Sequence, residues 1–264
     1  MELKACAKVN LHLAVGAKRP DGFHPISSVV QTCSLADDIE INLSEGPFSV
    51  NVTGLEGICL KGESTLEKAA RIWHERTGFE GMLDIRVKKN IPVQAGLGGG
   101  SSDAAVLIMY LNSLRPGSLD LTELAAISFA VGSDVPFFTF GRKAAVVQGR
   151  GETVTPIEPR TDLEGFIIVK ENEKMSTAQA YAMLDSRAEI PVLQSSVELE
   201  NIYRSPVADW TFRNDFELIN TRPDVDVLEG ERLFLTGSGS CWVLLSKREK
   251  LTLKAGLKAV KVSF

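Results

Sequence analysis

The sequence predicts a protein of mixed strands and helices, of α+β class, in one domain or two, and three observations carry that expectation. Strand-like alternation and helix-like periodicity mix in both halves of the chain. The opening third reads as several strands with short links, the pattern of an antiparallel meander. A length of 264 residues suits one large domain or two modest ones.

The elements follow in order. Residues 2–16 alternate, with Leu3, Ala5, Ala7, Val9, Leu11, Leu13 and Val15 on one face and Lys4, Cys6, Lys8, Asn10 and His12 on the other. Read from the residues alone, that second face meets water. Arg19-Pro20-Asp21-Gly22 is a turn. Residues 27–34, 38–43 and 48–53 are strand candidates. A helix begins at Ser64, buries Leu66, Ala69, Ala70 and Trp73, and ends at Gly78. Residues 82–87 alternate again and lead through Lys88-Lys89-Asn90-Ile91 into a glycine-rich stretch. An apolar helix starting at Ala104 follows, stopped by Arg115-Pro116-Gly117. Residues 121–131 read as a helix, 132–138 as a tight element and 144–148 as a strand.

The second part starts at residue 155. It is expected to hold a buried strand over 165–169 and a helix over 176–185 capped by Ser176 or Thr177. Residues 186–213 read as irregular or weakly helical, and 214–218 as a short helix. Strands follow over 233–235 and 242–245, then a helix over 247–256 and a last strand over 259–264.

Hydrophobic residues make up 44% of the chain and charged ones 24%, ordinary values for a globular protein. A net charge of −5 with no basic stripe argues against a nucleic-acid partner. Cys6, Cys33, Cys59 and Cys241 form no C-x-x-C pair, so they read as reduced thiols. Residues 1–18 do not resemble a signal peptide, and no apolar run approaches the roughly 20 residues of a membrane span. A cytoplasmic protein without a membrane partner is expected.

The chemistry centres on Pro92-Val93-Gln94-Ala95-Gly96-Leu97-Gly98-Gly99-Gly100-Ser101-Ser102-Asp103-Ala104-Ala105. Glycines let the backbone approach a ligand and take positive φ. A turn opening into a helix aims free N–H groups at one point, where the helix dipole favours an anion. The alternative is a flexible connection before a core helix. The stretch has no Gly-Lys-Ser/Thr, so it is not a Walker A loop. Ser101 stands where a dinucleotide fingerprint needs glycine, and the protein-kinase motifs are missing. Asp103 would repel a phosphate unless it points away or a cation offsets it, and Mg²⁺ is the natural candidate.

Other positions stay open at the level of residues. Asp134, before Val135-Pro136-Phe137-Phe138, is either a helix cap or a partly desolvated carboxylate facing an acceptor hydroxyl. Gly237-Ser238-Gly239 is a hairpin turn or part of a site. His24 is a loop histidine or, beside Phe23, a reader of a base.

Together these stretches resemble the GHMP small-molecule kinases. The resemblance rests on Ala7-Lys8-Val9-Asn10, the loop from Pro92 to Ala105, and Thr236-Gly237-Ser238-Gly239-Ser240-Cys241. Arg19-Pro20-Asp21-Gly22-Phe23-His24, Gly132-Ser133-Asp134-Val135-Pro136, Ser176-Thr177-Ala178 and Asn214-Asp215-Phe216-Glu217 are similar to the branch acting on a cytidine diphosphate-linked polyol. The chain departs at Lys170-Glu171-Asn172, where the family often has proline. It also looks short between Glu217 and Thr236.

The resemblance implies a two-domain GHMP kinase fold. An N-terminal domain over 1–154, like ribosomal protein S5 domain 2, would bind ATP. A ferredoxin-like domain over 155–264 would stand on the substrate side. It implies ATP and Mg²⁺, with Pro92, Val93, Gln94, Ala95, Gly96, Leu97, Gly98, Gly99, Gly100, Ser101 and Ser102 around the nucleotide and Ser101 or Ser102 reaching the metal. Lys8 and Asp134 would be catalytic. Asn10, Phe23, His24 and Tyr181 would bind the acceptor. Other GHMP kinases, of mevalonate or homoserine type, and a non-catalytic nucleotide-binding relative are the alternatives.

Overall fold

The computed structural model describes residues 1–58, 62–115, 117, 119–140, 143–171, 175–187 and 192–264. Cys59, Pro116 and Asn172 lie outside them. Strands and helices occur in both halves, as the α+β expectation requires. Two compact units emerge, and both are discontinuous in sequence: 1–7, 35–93 and 98–142 form one, and 8–34, 94–97 and 143–264 the other. Strands β1 (Glu2–Val15) and β2 (Ile26–Ser44) pair and each contributes to both units.

The first unit contains β3 (Ser49–Thr53), α1 (Thr65–Thr77), β4 (Met82–Lys88), α2 (Gly99–Leu114), α3 (Leu121–Val131) and α4 (Val135–Thr139). Here β4 lies antiparallel to residues 38–44 of β2 and parallel to β3. The expected meander is therefore wrong. Parallel neighbours need a crossover, and α1 supplies it between β3 and β4. The two strands expected over 27–34 and 38–43 are one, because Leu35, Ala36 and Asp37 stay extended.

Ile39, Ile41, Leu83, Ile85 and Val87 share the face that meets α1, α2 and α3. Leu66, Trp73, Leu107, Ile108, Leu111, Leu124 and Ile127 complete this core. Capping boxes at Ser64–Glu67 and Asp120–Glu123 start α1 and α3, and Gly78 at φ 67° ends α1. Helix α2 starts at Gly99, five residues before the expected Ala104, so two glycines lie inside its first turn.

The second unit contains β5 (Ala144–Gly149), β6 (Thr153–Pro156), β7 (Glu164–Lys170), α5 (Thr177–Leu184), α6 (Ser196–Arg204), β8 (Arg232–Thr236), β9 (Cys241–Leu245) and β10 (Leu257–Ser263). β5 pairs antiparallel with residues 26–31 of β2 and with β6. The last four strands form an antiparallel sheet in the order β10-β7-β9-β8. That is the strand order of a ferredoxin-like sheet. Phe166, Ile168, Leu235, Trp242 and Leu244 pack there with Ala180 and Leu184 of α5.

Two expectations fail in this unit. No helix forms over 247–256. Glu231 accepts from Ser246 Oγ at 2.5 Å and from Arg248 Nη2 at 2.6 Å, and the Arg248 amide donates to Ser246 Oγ at 3.1 Å. The Arg248–Ser246 bond competes locally with helical ones, the distant Glu231 holds both side chains, and a helix this short has little intrinsic stability. Conversely, α6 is a well-capped helix inside a stretch read as irregular or weakly helical. Ser195 and Glu198 form its capping box, and Leu199 and Tyr203 are buried. No helix in the described residues is long and apolar enough to cross a membrane.

Candidate active site

In the second unit a first group of candidate residues stands on β1. The polar face of that strand is buried from Lys8 onward, contrary to the solvated face expected from alternation, while Lys4 is exposed: Lys8, Asn10 and His12 are 6%, 4% and 0% exposed. A buried polar strand needs partners, and residues far along the chain supply them. Lys8 Nζ donates to Asn10 Oδ1 at 2.6 Å. Asn10 Nδ2 donates to Ser28 Oγ at 2.8 Å, and Ser28 Oγ donates to the His12 carbonyl at 2.5 Å. The Asn10 amide donates to Thr236 Oγ1 at 2.9 Å, and the Gly237 amide donates to Asn10 Oδ1 at 3.2 Å. Asn10 thus ties the lysine to the late glycine turn.

That turn meets the start of the long glycine stretch. The Lys8 amide donates to the Leu97 carbonyl at 2.9 Å. Gly96 and Gly237 have φ of 75° and 62°. A Cβ on Gly237 would stand 2.7 Å from Gly96 Cα, and one on Gly96 would stand 3.1 Å from Gly237 Cα. Only glycine at both positions allows the two backbones to touch. Ala95 and Leu97 are buried behind this contact, Pro92 is half-buried, and Val93 and Gln94 are exposed. Gln94 and Ser240 take left-handed φ of 59° and 72° without being glycine. Non-glycine residues in that region are uncommon and cluster at functional sites.

The acceptor-side candidates form a second group in the same unit. His24 Nδ1 lies 3.0 Å from the Gly16 carbonyl, and Nε2 lies 3.0 Å from Asp185 Oδ1. Lys18 Nζ donates to the other Asp185 oxygen at 2.9 Å. Both ring nitrogens are therefore spent within the protein rather than aimed at a base edge. The Tyr181 ring leans on His24 at 5.2 Å between centroids and meets Phe216 edge-on at 5.0 Å. Phe23 is exposed, with the Arg150 guanidinium 4.7 Å from its ring centre. Asp185, Arg150 and Ser28 were not singled out as site residues in the sequence. No local pattern marks them, because each becomes meaningful only through a partner distant in the chain.

The first unit supplies the start of α2. Gly98, at φ 71°, occupies the cap position and offers no side-chain cap, so the first-turn amides are left for a ligand. A Cβ on Gly99 would meet Ile91 Cγ2 at 3.1 Å and Lys89 Nζ at 3.2 Å; one on Gly100 would meet Thr65 Oγ1 at 2.9 Å. Ser101 is half-buried and its hydroxyl lies 4.0 Å from the Cβ position of Gly132, whereas Ser102 is buried. Asp103 lies beyond the first turn and points into the core, where Lys89 Nζ donates to it at 2.8 Å. Of the two alternatives, a carboxylate that points away and one offset by a cation, both hold here, and the cation beside it is a lysine of the protein.

Asp134 takes the cap position of α4 but makes no capping hydrogen bond. It is exposed, while Val135, Pro136 and Phe137 behind it are buried. The partial desolvation expected from its apolar neighbours does not occur, because they turn inward and leave the carboxylate at the surface. Among the described residues no group of three or more His, Cys, Asp or Glu could hold a metal ion. Ser101 and Asp134 present hydroxyl and carboxylate oxygens, the donor type Mg²⁺ takes when phosphates supply most of its shell.

Known proteins share this construction. The model for the GHMP kinases N terminal domain matches residues 64–142. A 4-diphosphocytidyl-2-C-methyl-D-erythritol kinase of Geobacter metallireducens is 40% identical over 224 residues, covering 78% of this chain and 79% of the relative. One from Treponema pallidum is 36% identical over 256 residues, covering 93% and 86%. The chain belongs to the 4-diphosphocytidyl-2-C-methyl-D-erythritol kinase family. A crystal structure of 4-(cytidine 5'-diphospho)-2C-methyl-D-erythritol kinase superposes on the whole chain with a TM-score of 0.73 at 25% identity, covering 100% of both. The Methanococcus jannaschii mevalonate kinase shares the fold, with a TM-score of 0.64 at 14% identity over 100% of this chain and 98% of its own. Family membership makes the chain a phosphotransferase of the GHMP class, for which ATP is the phosphate donor.

Proposed function

We propose that the chain transfers the γ-phosphoryl of ATP to the 2-hydroxyl of 4-diphosphocytidyl-2-C-methyl-D-erythritol, a cytoplasmic step of non-mevalonate isoprenoid precursor synthesis. In this reading residues 1–154 form the ATP-binding domain and 155–264 the substrate-side domain. The buried Lys8–Asn10 pair carries the proposal. An ammonium is costly to bury, and at 6% exposure Lys8 is held by a network that fixes its position before any ligand arrives. A preorganised cation of this kind stabilises charge on a phosphoryl group in transfer.

The remaining roles follow from placement. The backbone of residues 96–102 cradles the phosphates, using the uncapped first-turn amides of α2. Ser101 and Asp134 have the oxygen donors that would hold Mg²⁺, with Ser102 a weaker candidate because it is buried, and the ion would supply positive charge against that of the phosphates. Asp134 orients the acceptor hydroxyl and takes its proton late, as a loose transition state allows. Asn10 positions the acceptor beside Lys8. Phe23 and Tyr181 offer ring faces to the cytosine. His24, held by Gly16 and Asp185, sets the geometry of that end.

The test is a direct assay of purified protein with MgATP and 4-diphosphocytidyl-2-C-methyl-D-erythritol, with mevalonate and homoserine in parallel. The expected result is ADP release and a new phosphomonoester on the cytidyl substrate alone. Phosphorylation of mevalonate or homoserine with the cytidyl substrate untouched overturns the assignment. Nucleotide binding without any transfer favours a non-catalytic relative.

A further inference from the structure

Asn214-Asp215-Phe216-Glu217 takes no part in the phosphotransfer chemistry proposed above, yet its side chains reach both groups of site residues in the second unit. Asn214 caps a single 3₁₀ turn, Asp215–Leu218, by accepting from the Phe216 amide at 3.0 Å. The segment runs beside the end of β1: Leu13 bridges to Asn214, and the Leu13 amide donates to the Arg213 carbonyl at 2.8 Å. Asn214, Asp215 and Phe216 are all buried.

Buried polar side chains need partners, and here the partners are backbone groups next to the site. Asn214 Nδ2 donates to the Leu235 carbonyl at 3.0 Å and to the Gly237 carbonyl at 2.9 Å. Glu217 Oε1 accepts from the Leu235 amide at 2.9 Å. These bonds close on the late glycine turn, whose Gly237 amide donates to the same Asn10 oxygen that accepts from Lys8. On the other side, Asp215 accepts from the Val15 amide at 2.8 Å and from Arg213 Nε at 3.1 Å. Gly16, the next residue, supplies the carbonyl beside His24 Nδ1. Phe216 meets the Tyr181 ring edge-on, and Tyr181 leans on His24. Hydrogen bonds and edge-on ring pairs both have direction, so they fix orientation as well as contact.

We infer that Asn214 and Phe216 are positioning residues with divided duties: Asn214 sets the place of Lys8 Nζ through Gly237 and Asn10, and Phe216 sets the tilt of the Tyr181 ring that receives the cytosine. The inference rests on the reading that Lys8 serves the transferring phosphoryl and Tyr181 the cytosine. A cation acting on charge that develops during transfer changes kcat when it moves. A ring that binds an unreacting base holds the ground state and the transition state alike, so its displacement raises KM and leaves kcat. Two residues separated only by Asp215 therefore carry opposite kinetic signatures. A merely structural segment would give both variants the same one.

Asn214→Asp and Asn214→Ser both keep an oxygen for the Phe216 amide and remove the donors to Leu235 and Gly237. The serine adds no buried charge, so it serves where the aspartate does not fold. Phe216→Leu keeps an apolar side chain and removes the ring edge. Turnover of 4-diphosphocytidyl-2-C-methyl-D-erythritol with MgATP is measured well below the melting temperature of each variant. Calorimetric titration of cytidine 5'-diphosphate, with the nucleotide seat filled by the imido analogue of ATP, reads the cytosine end alone. The Asn214 variants are expected to lose kcat by about 10–100-fold and to bind cytidine 5'-diphosphate as wild-type protein does. Phe216→Leu is expected to weaken that binding, and to raise KM for the cytidyl substrate, by about two- to tenfold, with kcat retained. Folded variants that lose kcat and affinity in the same proportion, or that lose neither, overturn the inference while wild-type turnover stands. An exchange of the two signatures overturns it too. A wild-type protein that leaves the cytidyl substrate unphosphorylated is a distinct failure: it removes the functional reading, and the inference falls with it.

Discussion

Lys8 and Asp134 carry the proposed chemistry and are built in opposite ways. Lys8 sits in mid-strand, 6% exposed, with its ammonium on Asn10 and its amide on Leu97. Asp134 stands exposed at the start of a five-residue helix, in a cap position it does not use for capping. The difference follows from what each group must do. A cation that stabilises transferring charge works best when fixed beforehand, so its network belongs to the fold. A carboxylate that receives the acceptor hydroxyl must admit a substrate, so water leaves it only when the ligand arrives. One side of the chemistry is therefore built into the interior and the other stands at the surface.

Asp134→Asn is the sharpest way to break this comparison. Turnover is expected to fall by about 10²–10⁴-fold, with ATP affinity and melting temperature unchanged. Steady-state kinetics, nucleotide titration and thermal unfolding on one preparation check all three. A melting temperature lowered by several degrees would place Asp134 in the same structural class as Lys8.

Asn10→Ala should show the opposite signature. It removes the acceptor that Lys8 Nζ and the Gly237 amide share and the amide that donates to Ser28 Oγ, which keeps its bond to the His12 carbonyl. Unpaired buried groups cost about 1–3 kcal/mol each, and partial relaxation leaves an expected loss of about 3 kcal/mol in unfolding free energy. Denaturant unfolding measures it, and turnover should fall together with stability. A stable but inactive variant would separate the Lys8 network from the fold.

This asymmetry also decides what the sequence could disclose. The caps at Ser64, Gly78 and Ser176 were legible because their chemistry is local. So was the alternation of β4, whose polar residues do face water. The polar face of β1 was misread because alternation reports two faces, not whether the second is wet. Its burial depends on Thr236, which lies 226 residues from Asn10. The missing helix over 247–256 and the continuous β2 have the same origin. In each, a tertiary partner, Glu231 for one and the paired strands β4 and β5 for the other, overrides local preference. At the site, the residues alone left Asp134 open between a cap and a carboxylate facing a hydroxyl, and read Lys8 as solvated; resemblance is what raised both to catalytic candidates. Asp185 was not found at all, because its role appears only once His24 lies against it.

His12 tests whether the buried face of β1 is coupled to pH. Burial pushes its imidazole down to about 4, with Arg213 adding to the shift. The folded protein therefore keeps His12 neutral where an unfolded chain would protonate it, below about 6.5. This contribution to stability is complete above pH 6.5 and is lost as pH falls toward 4, amounting to about 3 kcal/mol at the limit. Asp103 tilts stability the other way. Its raised carboxyl favours the folded state at low pH and loses that advantage as pH climbs from about 4 through 7. The His12 part is isolated by comparing wild-type protein with His12→Asn, which keeps an acceptor near the Arg213 amide. Urea unfolding between pH 4 and 7 should give a shallower acid slope in the variant. Equal slopes would mean that the orphaned Nε2 is not the source of acid sensitivity.

Gly237→Ala gives the smallest expected effect and the finest test of how Lys8 is held. The added methyl must fit 2.7 Å from Gly96 Cα, and the residue must keep φ near 62°. Left-handed backbone costs a non-glycine residue about 1–2 kcal/mol, and the methyl requires the two turns to part. A loss of about 2 kcal/mol is expected, because the surrounding strands limit how far the turns can move. The Gly237 amide would also shift from Asn10 Oδ1, loosening the acceptor that Lys8 Nζ uses. Turnover should therefore fall several-fold even at temperatures where the variant is fully folded. Gly22→Ala is the control: its φ is 84° and nothing lies within 4 Å of the Cβ position. That variant bears the backbone strain without the clash. If the two variants lose equal stability and both retain full turnover, the contact between the glycine turns does not position Lys8. A larger loss at Gly237 with reduced turnover ties the placement of the buried ammonium to the touching backbones of Gly96 and Gly237.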